Sequence, residues 1–128
     1  MQLIIVSHET LASAIVRTAE MFTGPAEDVG ILQFQAGDSP DDFEDDLRAM
    51  VGERKAGEET MILCDLFAGT PFNVASKVSY QDDTIRVLYG MNLAMVVEAV
   101  LGRQTMSMDE LTDSIMSQLP DSYGVGQF

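Results

Sequence analysis

The feature that most constrains the fold is a fourfold alternation of short apolar runs with segments of helical periodicity. The runs occupy residues 3–6, 29–34, 60–64 and 85–89, and each leads through a short polar stretch into apolar residues spaced three or four apart. Four strand-then-helix units at this spacing predict an α/β domain with a parallel sheet and right-handed crossovers. We expect the strand order 2-1-3-4, with helices covering both faces of the sheet.

Capping residues mark several of the predicted helix starts. Ser39 precedes Pro40 and Thr70 precedes Pro71, so each hydroxyl is predicted to cap the helix that begins at the proline. A capping-box pattern predicts a last helix over 107–119. The helix that precedes this last one is predicted over residues 92–101.

Length and composition are those of one globular domain. The chain has 128 residues, of which 46% are hydrophobic and 22% charged. This size fits a single core, and the apolar content is too high for a disordered chain. We therefore expect one domain, 1–128.

The charge balance excludes two classes of partner. Seven basic residues stand against 21 acidic ones, which gives a net charge of -14. Such a chain repels nucleic acid and anionic membrane surfaces, while basic protein surfaces attract it. The densest acidic run, 41–46, is interpreted as the solvated face of the second helix, not a metal site.

Cysteine usage and the first residues favour the cytoplasm. Cys64 has no partner for an internal disulfide, and the apolar run at 3–6 is too short for a signal peptide or a membrane span. We expect any role in transport to be exercised from the cytoplasmic side.

Two polar residues fall where a parallel sheet places its chemistry, beyond the carboxyl ends of neighbouring strands. His8 follows the first strand and Asp65 the third. A carboxylate that accepts the Nδ1 proton leaves Nε2 of the ring as a nucleophile. Gly69 and Thr70 lead into a helix N-terminus, where backbone N–H groups can hold a phosphate. These residues predict phosphoryl transfer, although spacing alone leaves open a structural role for His8.

Three segments resemble a known family. Residues 4–8 (IIVSH), 65–73 (DLFAGTPFN) and 90–98 (GMNLAMVVE) are similar to the mannose-family IIA component of the bacterial phosphoenolpyruvate-dependent sugar phosphotransferase system. The resemblance implies a phosphotransferase in which His8 accepts a phosphoryl group from the phosphohistidine of HPr and donates it to a IIB component. The membrane-embedded IIC and IID components would be reached only indirectly.

The same resemblance assigns further roles. It implies that Asp65 pairs with the active histidine, that Gly69 and Thr70 lie by the phosphate, and that no cofactor or metal is used. It also implies a homodimer in which a C-terminal edge strand, 123–128, is exchanged between subunits. Glu9 departs from the family, which often has glycine after the histidine, and Ala68 replaces the first glycine of a Gly-Gly pair.

Other functions share this architecture. A receiver-like regulatory domain would need an acidic pair after the first strand, which the chain lacks. A nucleotide- or flavin-binding domain would need a glycine- or hydroxyl-rich phosphate loop there. The phosphocarrier subunit of dihydroxyacetone kinase would keep the chemistry and change the recipient.

Overall fold

The computed structural model describes residues 1–127 and contains a four-stranded parallel sheet. Its strand order is β2-β1-β3-β4, as predicted. The elements are β1 (Gln2–His8), α1 (Leu11–Thr23), β2 (Gly30–Phe34), α2 (Pro40–Gly52), β3 (Thr60–Cys64), α3 (Thr70–Ser79), β4 (Ile85–Leu88), α4 (Leu93–Gly102), α5 (Met108–Gln118) and a 3-10 turn (Leu119–Ser122).

Alternation along β1 sends side chains into two separate cores. Leu3 and Ile5 pack with α1, α4 and α5 on one face of the sheet. Ile4 and Val6 pack with α2 and α3 on the other face. All four side chains are fully buried, as expected for a central parallel strand covered on both sides. The prediction of helices on both faces is confirmed.

Strand register brings the ends of the central strands together. Val6 pairs with Cys64, and His8 pairs with Phe34 at the last position of β1. Residues that directly follow β1 and β3 therefore lie side by side at the carboxyl edge. This edge is where the sequence placed the candidate chemistry.

Two of the predicted helix caps are confirmed. The Ser39 hydroxyl accepts the backbone N–H of Asp42 at 3.3 Å. Ser107 and Glu110 form the reciprocal capping box at the start of α5. The prediction for Thr70 is wrong: Gly69 occupies the cap position, Thr70 is the first helical residue, and no side chain caps α3. The turn into α3 is thus made by backbone conformation.

Several boundaries differ from the predictions. β1 continues through His8, which the sequence had placed in a loop, because parallel pairing with β2 extends to that residue. β4 ends at Leu88, one residue before the predicted end. Asn92 caps α4 from outside the helix, with its side chain accepting the N–H of Met95. The apolar pattern locates each element but not the last residue that pairs.

The C-terminal segment is predicted to form an edge strand that is exchanged between two subunits. Residues 123–127 are exposed and form no strand in the described part of the chain, and Phe128 lies outside the described residues. Exchange of this segment in a dimer stays a prediction. Within residues 1–127, no helix is both long enough and apolar enough to cross a bilayer.

Candidate active site

The carboxyl ends of β1 and β3 bring His8 and Asp65 into direct contact. Asp65 Oδ2 lies 2.9 Å from the ring Nδ1 of His8 and also accepts the backbone N–H of His8 at 2.9 Å. One carboxylate oxygen therefore fixes both the ring and the backbone of the same residue. The predicted pairing of these two residues is present in the structure.

Asp65 is itself held in place and shielded. Its Oδ1 accepts the backbone N–H of Leu66 at 2.9 Å. The Asp65 side chain is 9% exposed, whereas the His8 side chain is 39% exposed. A carboxylate at Nδ1 favours the tautomer with the proton on Nδ1. The lone pair then lies on Nε2, which makes no hydrogen bond within residues 1–127.

The turn before α3 lies against that ring. Gly69 has φ +100°, and a Cβ built on it would fall 2.8 Å from both Nε2 and Cε1 of His8. Its carbonyl accepts the N–H of Asn73 at 2.9 Å, which starts the helix. Pro71 has no N–H, so the backbone donors without an intrahelical partner at the start of α3 are those of Thr70 and Phe72. With the helix dipole they favour an anion at this end of α3.

Comparison with known proteins identifies the family. A family model described as the PTS system fructose IIA component matches residues 2–116. The chain belongs to this IIA family.

Two relatives have names from the same transport system. The chain is 30% identical over 110 residues to the PTS system mannose-specific EIIAB component of Escherichia coli K12, a match that covers 85% of this chain and 34% of that protein. It is 27% identical to the PTS system sorbose-specific EIIA component of Lacticaseibacillus casei, covering 91% of this chain and 83% of the relative. The chain thus spans about a third of the length of the first of these relatives.

Solved structures agree in fold. The mannose/sorbose specific IIA subunit from Enterococcus faecalis superposes with a TM-score of 0.88 at 30% identity, covering 99% of this chain and 95% of the other. The phosphotransferase system component EIIA from Streptococcus agalactiae gives 0.87 at 35% identity, covering 97% and 95%. The α/β architecture of this IIA chain is that of these structures.

Ser7 is a positioning residue of the IIA chain that sequence reasoning missed. It is fully buried, and its Oγ accepts the backbone N–H of Ala12 at 2.8 Å. Thr10 stands at the cap position of α1 without a side-chain cap. This hydrogen bond therefore joins the start of α1 to β1 at the residue next to His8. A hydroxyl shortly before a helix was the available signal.

Glu9 adopts a backbone conformation that glycine prefers. Its φ is +50°, and its backbone N–H donates to the carbonyl of Phe34 at 3.0 Å. Its carboxylate accepts the N–H of Ala36 at 3.3 Å, so the side chain is directed toward the loop after β2. Glycine adopts this conformation without strain.

Cys64 ends β3 beside the site without being available for chemistry. It is completely buried, and burial raises the pKa of its thiol to about 12, with a smaller contribution from the charge of Asp65. The thiolate is the nucleophilic form of cysteine, so this side chain packs as a small apolar group.

An aromatic cluster at the same edge of the IIA chain was also missed. The ring centroids of Phe67 and Phe72 are 5.1 Å apart, those of Phe67 and Tyr89 4.8 Å, and those of Phe72 and Tyr89 5.7 Å. Phe67 and Phe72 lie close together in sequence, but Tyr89 follows another strand, so no local sequence pattern indicated the cluster.

Proposed function

We propose that this IIA chain carries a phosphoryl group on Nε2 of His8, accepting it from the phosphohistidine of HPr and passing it to a IIB component. The observation that supports this most directly is the 2.9 Å contact between Asp65 Oδ2 and Nδ1 of a ring that remains 39% exposed. A histidine with a purely structural role is expected to use both ring nitrogens in hydrogen bonds, whereas the His8 ring uses only Nδ1 within residues 1–127.

The transfer requires a simple exchange of bonds. The lone pair of Nε2 attacks phosphorus as the nitrogen–phosphorus bond of the donor breaks, and that electron pair returns to the donor ring. The Nδ1 proton stays on the His8 ring and is donated to Asp65, whose negative charge offsets the positive charge that the ring gains. Passage to the IIB component repeats the exchange with His8 as the leaving group.

The remaining site residues act on the phosphoryl group. The transition state of such a transfer is loose, so catalysis depends on positioning and charge stabilisation. Gly69 leaves room beside Nε2, and the start of α3 presents N–H donors together with the hydroxyl of Thr70. In this proposal Gly69 and Thr70 hold the phosphate, and no metal or cofactor takes part.

Labelling with phosphate is decisive for this chain because of its histidine content. The chain contains one histidine, so any phosphohistidine formed on it is at position 8. We expect incubation with phosphoenolpyruvate, enzyme I and HPr to give one acid-labile, base-stable label per chain, and His8→Gln to take up none. Label retained by a folded His8→Gln protein contradicts the proposal.

The chemistry of the label separates the receiver-like alternative. A phosphohistidine on His8 is acid-labile and stable in base, whereas a receiver carries an acyl phosphate on an aspartate, which is labile in base. A base-labile label that a folded His8→Gln protein retains would identify a receiver. The mannose and sorbose relatives favour the sugar-transport branch over dihydroxyacetone kinase. We also propose that the protein acts in the cytoplasm and forms a homodimer.

A further inference from the structure

We propose that the aromatic cluster of Phe67, Phe72 and Tyr89 is the docking surface for the phosphoryl-donor protein. The occupant is a protein that presents an apolar patch beside its own phosphohistidine, with basic side chains around that patch. The inference rests on the proposed function of His8 and adds which residues of this chain the donor contacts.

The cluster is a supported platform. Phe67 and Tyr89 are 63% and 51% exposed, while Phe72 is half-buried and packs against the core between α2 and α3. Its ring contacts both exposed rings, at centroid distances of 5.1 and 5.7 Å. Two aromatic faces are thus held toward solvent by a third ring that is anchored in the fold.

Position connects the platform to the active ring. Phe67 lies two residues after Asp65, and Phe72 three residues after Gly69 in the first turn of α3. Tyr89 directly follows β4. All three lie at the carboxyl edge of the sheet, as does His8, whose side chain is 39% exposed. A donor whose phosphohistidine reaches Nε2 must approach this edge.

Exposed aromatic side chains of this kind mark interfaces. Aromatic residues are enriched at the centres of protein–protein contacts and account for a large share of their binding energy. A monomer gains little stability from rings that are more than half exposed. Leu66, 58% exposed, extends the same apolar surface.

The charge of the edge indicates a basic rim on the partner. The four loops that follow the strands, 9–10, 35–39, 65–69 and 89–92, contain no lysine or arginine. They carry Glu9, Asp38 and Asp65. An edge that also receives a phosphoryl group is strongly negative, so a donor with lysines or arginines around an apolar patch is complementary.

Two chemically distinct donors separate docking from chemistry. Potassium phosphoramidate phosphorylates histidine without a protein interface, whereas phosphorylated HPr requires one. We expect Phe67→Ala and Tyr89→Ala each to raise the KM for phosphorylated HPr at least about tenfold. Their kcat and their labelling by phosphoramidate are expected to stay near those of the unaltered chain. Phe22→Ala, which removes a 65% exposed ring in the last turn of α1, is expected to leave the KM unchanged.

The opposite results overturn the proposal. An unchanged KM in both aromatic variants, or a rise equal to that of Phe22→Ala, shows that the donor docks elsewhere. Equal loss of labelling by HPr and phosphoramidate in a folded variant shows that the rings serve the chemistry instead. Failure of the proposed function itself is distinct, because it appears as label on a residue other than His8.

Discussion

Gly69 packs directly against the Nε2 edge of the His8 ring: a Cβ on Gly69 would lie 2.8 Å from Nε2. Its φ of +100° is one that residues with side chains rarely adopt. Two independent restrictions, space and backbone conformation, therefore coincide at one residue. The start of α3 can approach the ring this closely only with glycine at position 69.

Gly69→Ala is expected to abolish phosphoryl uptake, because the methyl group occupies the space beside Nε2. Strain at positive φ is expected to lower the free energy of unfolding by about 1–3 kcal/mol. Gly37→Ala is the matched control: its φ is +89°, and a Cβ there meets no atom within 4 Å. We expect the control to lose stability and to keep its labelling. Normal uptake by Gly69→Ala would contradict the geometry.

Asp65→Asn is expected to slow phosphoryl transfer about 10- to 100-fold. The amide removes the negative charge that balances the ring and can present its NH2 group to Nδ1, which favours the wrong tautomer. The rate should be measured in rapid-quench labelling at saturating HPr, with Asp38→Asn as the control for loss of one charge at this edge. A rate equal to that of the control would exclude an orienting role for Asp65.

Glu9→Gly is expected to stabilise the protein by about 0.5–1 kcal/mol, because position 9 has φ +50° and glycine adopts it without strain. The contact to the Ala36 N–H that is lost is long and exposed. Urea unfolding measures the difference. Gln81→Gly, at φ +57°, is expected to give a similar gain. If only Gln81→Gly gains stability, the side chain of Glu9 stabilises the fold by more than its positive φ destabilises it.

Asp28→Asn tests an ion pair far from the site. Hydrogen bonds from Arg103 at 2.8 Å lower the pKa of Asp28 below its usual 3.8. A lowered folded pKa adds stability above the unfolded value, and that stability disappears as the pH falls through the folded pKa. Because Asp28 is mostly exposed, the loss at pH 7 is expected to be at most about 1 kcal/mol.

The pH dependence is the check on this pair. The difference in unfolding free energy between Asp28→Asn and the unaltered chain should shrink as the pH falls below about 4 and vanish once Asp28 is protonated. Asp83→Asn, at an exposed carboxylate in another loop, serves as the control for surface charge. A difference that stays constant down to pH 2 would contradict the assignment to an ion pair.

Periodicity predicted the α/β fold, and the strand order was taken from the common topology of such sheets. That order makes β1 and β3 neighbours, and the contact of His8 with Asp65 follows from it. Ser39 and Ser107 were found because a cap is a local pattern. The cap predicted at Thr70 was wrong, because a positive φ at Gly69 makes the turn without a hydroxyl.

The missed features depend on contacts between distant segments. Phe67 precedes α3, Phe72 lies in its first turn and Tyr89 follows β4, so no short window of sequence contains all three rings. The approach of Gly69 to Nε2 depends on how α3 packs, which neither residue encodes alone. For Ser7 the sequence offered only a hydroxyl before a helix, and its bond to the Ala12 N–H depends on where α1 lies beside β1.

The position of the phosphoryl group on the ring tests the central claim most directly. After phosphorylation of 15N-histidine-labelled protein, a long-range 1H–15N correlation spectrum reports which nitrogen bears phosphorus, and the chain's one histidine gives one set of signals. Because Nδ1 is hydrogen-bonded to Asp65, we expect phosphorus on Nε2 and a proton on Nδ1. Phosphorus on Nδ1, or a His8 ring unchanged in a labelled protein, would contradict it.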